Sequence, residues 1–320
     1  MQNITSIKKY RSPGLTGQAI KTIAIISMII DHIGFALINH LPGASDPASV
    51  TSAVYMICRF LGRLAFPLYC FMLVEGAAHT RSHLKYAIRL LIFGLISEVP
   101  FDLAFYKMPI YAKHQNVFFS LFLGILMLWA FDLIKNKGIE KIPGIVFKIL
   151  GLTIPTAYFG WRIGSNLNTI FGIDIPSVTA YAATAAVAFI LIFVLIYNTA
   201  KKQSDTAALL LCGNLTVMCI FAFIADMART DYRSAGILTI AAMYIYRRDR
   251  FISMISGCVI LSVLSNPTEL FAFCNLPIIS KYNGQRGRGP KYLFYIVYPA
   301  HLLILYLISK ALGIGVPGIL

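Results

Sequence analysis

Apolar runs of about twenty residues recur along this chain, and that recurrence limits what it can fold into. A helix of that length spans the hydrocarbon core of a bilayer, and in lipid each backbone N–H and C=O must be satisfied within its own segment. The pattern predicts helices at 18–40, 50–78, 84–106, 116–135, 143–160, 177–199, 206–226, 232–247, 251–266, 268–281 and 291–313. Segment 268–281 is short and contains Pro277, which suits either a tilted crossing or a half-helix. The fold class is therefore all-α: a polytopic membrane helical bundle of about 11 segments, one domain over 1–320, with 1–17 a cytoplasmic N-terminal segment.

Composition excludes the alternatives. Only 13% of residues are charged and 58% are hydrophobic, too few polar groups to cover a soluble enzyme and too many apolar ones for a disordered chain. The net charge of +15 does not indicate nucleic acid, because the basic residues fall between apolar runs instead of clustering on a polar surface. The six cysteines lie in apolar stretches with no CxxC, so neither a disulfide framework nor a metal site is expected. The first apolar run continues too long for a cleaved signal peptide.

Loop charges predict the orientation. Lys8, Lys9, Arg11 and Lys21 open the chain. Alternate loops then carry Arg81 and Lys85; Lys135, Lys137 and Lys141; Lys201 and Lys202; Arg247, Arg248 and Arg250; and Lys281, Arg286, Arg288 and Lys291. The opposite loops hold only Lys107, Lys113, Arg162, Arg229 and Arg233. By the positive-inside rule the N-terminus is cytoplasmic and, after eleven crossings, the C-terminus is outside. The expected location is the cytoplasmic (inner) membrane.

Ionisable groups inside spans are costly and point to function. Asp31, His32, Arg59, Arg63, Glu98 and Asp102 all fall in the predicted outer half, with His114 and Asn116 near the outer start of the fourth helix. Arg59 and Arg63 share a helix face, as do Glu98 and Asp102, so the two arginines are expected to face the two carboxylates; the plainer reading is a structural ion-pair cluster. Asp31 and His32 point about 100° apart, so Asp31 is expected to meet an arginine while His32 faces a substrate. His32 otherwise reads as a packed histidine bonded across helices; as a neutral imidazole it would be a general base. His301, after Tyr298 and Pro299, is the second such candidate. The loop KYNGQRGRGPK at 281–291 has glycines and cations that suit phosphates, or simply reports positive-inside charge. No P-loop, HExxH, GxSxG or Rossmann glycine pattern is present.

The stretches LTGQAIKTIAIISMIIDHIGF, CRFLGRLAFPLYCFMLVEGAAHT, LISEVPFDLAF, QNVFFSLFLG and YLFYIVYPAHLLIL, in that order, resemble the TraX family. The family's namesake is a conjugal-transfer protein that acetylates the pilin N-terminus, and the family looks related to membrane acyltransferases that use cytosolic acetyl-CoA. In the acyltransferase-3 branch an arginine precedes the essential histidine by ten intervening residues; Lys21 holds that place before His32 here, about 16 Å along the helix. The resemblance implies an acetyltransferase that moves an acetyl group from cytosolic acetyl-CoA to an extracytoplasmic amine or hydroxyl acceptor. His32 would act as base or acyl carrier, and Arg59 or Arg63 as oxyanion or substrate ligand. Asp31, Glu98 and Asp102 would position the arginines, with Asn116, Tyr298 and His301 supporting. Lys21, Arg286 and Arg288 would meet the CoA phosphates. No metal is expected. The expected partners are the lipid bilayer, acyl-CoA and an acceptor that is a protein N-terminus, a glycan or a small molecule. A secondary transporter or channel built on the same charges remains the rival, and a non-catalytic pilus or envelope assembly partner is the third reading.

Overall fold

The computed structural model describes residues 14–138, 143–166, 176–289 and 292–314. The basic residues Lys8, Lys9, Arg11, Lys141 and Lys291, used above for orientation, lie outside the described residues. The described residues form α-helices α1 (Gly17–Ala36), α2 (Val50–Gly62), α3 (Ala65–His79), α4 (His83–Tyr106), α5 (Val117–Leu133), α6 (Gly144–Gly164), α7 (Ser177–Lys202), α8 (Asp205–Met227), α9 (Arg233–Ile245), α10 (Arg250–Leu264), α11 (Leu276–Ser280) and α12 (Leu293–Ala311). Seven helical units are long and apolar enough to cross a membrane, with α2 and α3 together making one of them. The chain is thus a polytopic helical membrane protein. Among the charged residues of α4 are Lys85, Arg89, Glu98 and Asp102, while α9 and α10 are shorter apolar helices.

Local chemistry sets the boundaries. Thr16 caps α1 by accepting the Ala19 N–H, and Ser82, Asn116, Ser204 and Asp249 cap α4, α5, α8 and α10 in the same way. The second predicted helix is broken at Arg63–Leu64 rather than continuous over 50–78. Pro67 falls in the first turn of α3, where its missing N–H costs little, so the break precedes the proline. Buried side chains bond two carbonyls at the break: Ser27 Oγ donates to Leu61 O, which also accepts the Leu64 N–H at 3.3 Å, and Asn275 Nδ2 donates to Leu64 O at 3.2 Å.

The short segment after α10 is a nine-residue 3-10 helix, Pro267–Asn275, that runs into α11. A 3-10 helix rises about 2.0 Å per residue, so these fourteen residues cover about 25 Å, close to a bilayer core. They do join the two ends of the bundle. Glu269 reaches Arg63 near the finish of α1, and Tyr282 just beyond α11 bonds to Glu75 near the end of α3. Three residues per turn stack Glu269, Ala272 and Asn275 on one ridge, and all three are buried.

α1, α3, α4, α5, α9 and α12 form the centre, and α6 and α7 attach at the side through α8. α6 lies so close to α8 that a Cβ on Gly151 would stand 2.6 Å from the Cys212 Cα, the close approach that small residues allow between helices in lipid. At the end where α1 begins, residues 15–18 pair with 281–286 through backbone bonds, including Leu15 N–H to Lys281 O at 2.7 Å and Gln18 N–H to Arg286 O at 2.9 Å. This end carries Lys21, Arg89 and Arg286 and is called the basic end below. Gly151→Ala is expected to destabilise the protein by about 1–3 kcal/mol, because the added methyl overpacks a backbone contact. A thermal midpoint in detergent equal to wild type would show that α6 and α8 do not touch at that point.

Candidate functional site

His32 stands late in α1, with its ring edge-on to Phe105 at 5.1 Å and stacked on His301 at 5.0 Å. Its Nδ1 is 2.8 Å from His301 Nε2, and His301 Nδ1 is 2.8 Å from the Val297 carbonyl. These contacts assign the tautomers for neutral rings. A carbonyl only accepts, so His301 carries its proton on Nδ1 and offers the Nε2 lone pair. His32 must then donate from Nδ1, which leaves its own Nε2 as a lone pair. Tyr298, edge-on to both histidine rings, and His301 are buried. Pro299, between the two in sequence, lacks the N–H that would complete that turn of the α12 ladder.

The arginines are held differently from the sequence expectation. Asp31 takes Arg59 Nη1 on one oxygen at 2.7 Å and Arg63 Nη2 on the other at 3.0 Å. The second carboxylate is Glu269, 2.6 Å from Arg63 Nη1 and 1% exposed, so Glu98 and Asp102 do not face the arginines. Arg63 Nε also donates to the Arg59 carbonyl at 3.1 Å, which occupies all three guanidinium nitrogens. Arg59 uses only Nη1 among the described residues and packs over the Phe35 ring. The two arginines therefore separate in kind: Arg63 is consumed by structure, and Arg59 keeps donors free. Gly62 makes this possible, since a Cβ there would overlap Asp31. The signal for Glu269 was present, as it is the only charged residue between Arg250 and Lys281.

Glu98 and Asp102 organise the connection between α4 and α5. Asp102 accepts the Tyr111 N–H at 2.7 Å, and Glu98 accepts from the Asn116 backbone and side chain. Asn116, fully buried, also donates to the Gly94 carbonyl at 2.9 Å. Because Gly94 is midway along α4, α5 starts inside the bundle, not at its outer surface. The connection dips inward and needs these two carboxylates to satisfy its backbone. His114 on that connection accepts or donates with the Tyr106 hydroxyl and lies 3.5 Å from Asp231. Burial works against its charge, but Asp231 outweighs burial and raises its pKa above the ordinary value.

A cavity of about 570 Å³ enters at the basic end. Lys21, Arg89 and Arg286 stand around its mouth, and Tyr69, Tyr86, Phe118, Tyr295 and Tyr298 line its depth. Tyr298 is one of the lining residues, and the His32 ring, which is not, lies 6.1 Å from the Tyr298 ring. Of the three expected phosphate ligands, Lys21 and Arg286 line this cavity and Arg288 does not; Arg89, unmarked in the sequence because it follows loop residues into an apolar run, takes its place. Among the described residues no group of three or more His, Cys, Asp and Glu is arranged to hold a metal ion.

Glu269→Ala removes one of the two carboxylates that hold buried Arg63, leaves Arg63 and Arg59 to share Asp31, and is expected to cost about 3–5 kcal/mol, whereas Glu269→Gln keeps a hydrogen-bond acceptor and costs less. Thermal unfolding in detergent reads both. An Ala variant as stable as wild type would mean that Arg63 is neutralised elsewhere.

A family model described as TraX protein matches residues 16–220 and 170–309. A probable fimbrial assembly protein FimC, serogroup H1, of Dichelobacter nodosus is 28% identical over 297 residues, covering 89% of this chain and 92% of that protein. The uncharacterized protein RP591 of Rickettsia prowazekii (strain Madrid E) is 29% identical over 112 residues, 35% of this chain and 36% of its own length. No solved structure matches. The family match spans both parts of the site, the α1 histidine with its α2 arginines and the α12 histidine, and the chain belongs to the TraX family.

Proposed function

We propose that this protein is a membrane acyltransferase that takes an acetyl group from cytosolic acetyl-CoA and passes it to an amine or hydroxyl acceptor on the far side of the inner membrane. The observation that carries the reading is the cavity that runs from the basic end to Tyr298, with the His32 ring 6.1 Å from the Tyr298 ring and its Nε2 without a hydrogen-bond partner among the described residues. Its chemistry suits the donor: cations at the mouth for phosphates, and an aromatic, water-poor depth for a slender thioester arm.

In this reading Lys21, Arg89 and Arg286 hold the phosphates on the cytoplasmic side. His32 Nε2 accepts the proton from the acceptor N–H or O–H as the new bond forms to the acyl carbon. Its Nδ1–H bond to His301, backed by the Val297 carbonyl, orients the ring and stabilises the imidazolium. Arg59, with donors to spare, answers the charge that develops on the carbonyl oxygen. The C–S bond then breaks, and the thiolate recovers the proton from His32. If His32 instead carries the acetyl group transiently, the same lone pair forms that bond. The name of the Dichelobacter relative directs the acceptor toward a fimbrial component. A transporter would need these charges free to bind and release cargo, whereas Asp31 and Arg63 are tied to fixed partners.

Purified protein given radiolabelled acetyl-CoA tests this by CoA release. His32→Ala should lose about 10²-fold or more in rate, the usual contribution of a positioned base. His301→Ala should lose less, because it removes an orienting bond and leaves the base. Release by His32→Ala at the wild-type rate would overturn the assignment. Arg89→Gln should raise the KM for acetyl-CoA about tenfold with kcat little changed, the loss of one charge-assisted hydrogen bond made equally in ground and transition states.

A further inference from the structure

A second cavity, of about 430 Å³, lies at the end opposite the basic one, bounded by Lys113, His114, Arg162, Thr230, Tyr232 and Arg233 among others. Its cations are out of place. Positive charge on translocated loops opposes insertion, and in the proposed orientation the far side beyond Arg59 and Arg63 retains only six lysines and arginines: Lys107, Lys113, Arg162, Arg229, Arg233 and Lys310. Three of the six, Lys113, Arg162 and Arg233, line this one cavity. A fourth, Lys107, is used internally and donates to Ser309 Oγ at 2.6 Å and Ala104 O at 3.2 Å.

The cavity cations are under-neutralised. Arg162 has Asp226 at 3.7 Å, but Asp226 also accepts the Ser234 N–H and the Tyr158 hydroxyl. Asp231 is taken by His114. No carboxylate lies within ion-pair distance of Lys113 or Arg233 among the described residues. Thr230 is 1% exposed and lines the cavity, and its hydroxyl has no hydrogen-bond partner among the described residues. A buried donor left unmade costs free energy unless a ligand completes it.

The backbone is held in place at a cost. Between α8 and α9, Arg229, Tyr232 and Arg233 have φ of 54°, 60° and 44°, the left-handed region that glycine usually occupies. Two interactions hold the strained turn: Tyr232 stacks on Phe66 at 3.8 Å, and the backbone of 229–231 pairs with Gln115. Thr230 and Arg233 of this turn both line the cavity. The cavity also adjoins the chemistry without opening on it, for the Phe101 and Phe105 rings separate His114 from His32.

We infer that this cavity is an anion subsite that recognises a carboxylate or phosphate carried by the acceptor, through Lys113, Arg162, Arg233 and the Thr230 hydroxyl. The inference rests on the acyl-transfer reading for what the anion belongs to, and two phenylalanine rings of separation make that acceptor an extended molecule. Its acidic group docks away from the nucleophile that meets His32.

Inorganic phosphate, a probe of both charge and shape, tests the subsite without any turnover. Wild-type protein in phosphatidylcholine nanodiscs should show a saturable rise in thermal midpoint with phosphate at constant ionic strength, and none with chloride. Lys113→Gln with Arg233→Gln should weaken the apparent phosphate affinity by at least about tenfold, the loss of two charge-assisted hydrogen bonds. Without phosphate its midpoint should stay near wild type, which separates lost binding from misfolding. The same titration in phosphatidylglycerol nanodiscs separates the sources: a phosphate effect that persists there assigns a soluble acidic acceptor, and one that disappears assigns a lipid-borne phosphate in the same cavity. No saturable effect in either membrane, or an equal effect in the double variant, overturns the subsite. Because this readout needs no CoA release, a failed acetyl-CoA assay and a failed phosphate titration are separate results.

Discussion

Arg63 is the group on which the rest of this structure depends. Burying a guanidinium costs several kcal/mol unless its charge and its N–H groups are met, and here Asp31, Glu269 and the Arg59 carbonyl meet them. The three partners come from α1, from the 3-10 segment and from α2 itself. One side chain thus fixes how three elements stand in the bundle, and the helix break beside it supplies carbonyls that Ser27 and Asn275 satisfy. With Arg59 included, the cluster holds two positive and two negative side chains in one contiguous network.

His32 inherits its orientation from that arrangement. Asp31 is pinned by the arginines, so the next residue, about 100° around the helix, turns toward α4 and α12. The contact between α1 and α12 then brings in His301, and a backbone carbonyl settles which nitrogens carry protons. The inward dip of the 107–116 connection, paid for by Glu98, Asp102 and Asn116, leaves room on either side of an aromatic layer. A long cavity approaches that layer from the basic end, and a cationic one from the opposite end.

Much of this was legible in the residues. The helices, their order and an Asp31–arginine contact followed from apolar length and from the expense of isolated charge in lipid. Glu269 was not linked to Arg63 because a 3-10 helix lines up every third residue, and a helical-face argument with 3.6 residues per turn does not group Glu269, Ala272 and Asn275. Arg89 was missed because a basic residue close behind a loop reads as orientation charge. Glu98 and Asp102 were matched to the arginines on opposite sign and shared i, i+4 faces, when the backbone N–H groups of an inward connection were the stronger claim.

By itself the sequence determined that this chain is a helical membrane bundle of the TraX type, with expensive charge concentrated in α1, α2 and α4, because lipid tolerates neither open backbone nor unpaired ions. The tertiary structure alone decided which charges pair, which arginine keeps its donors and which histidine nitrogen is free. Those outcomes depend on contacts between residues hundreds of positions apart: His32 and His301 are separated by 269 residues, Arg63 and Glu269 by 206. Hydropathy records how deep a residue lies, but a hydrogen bond depends on direction, and direction exists only once the helices have packed.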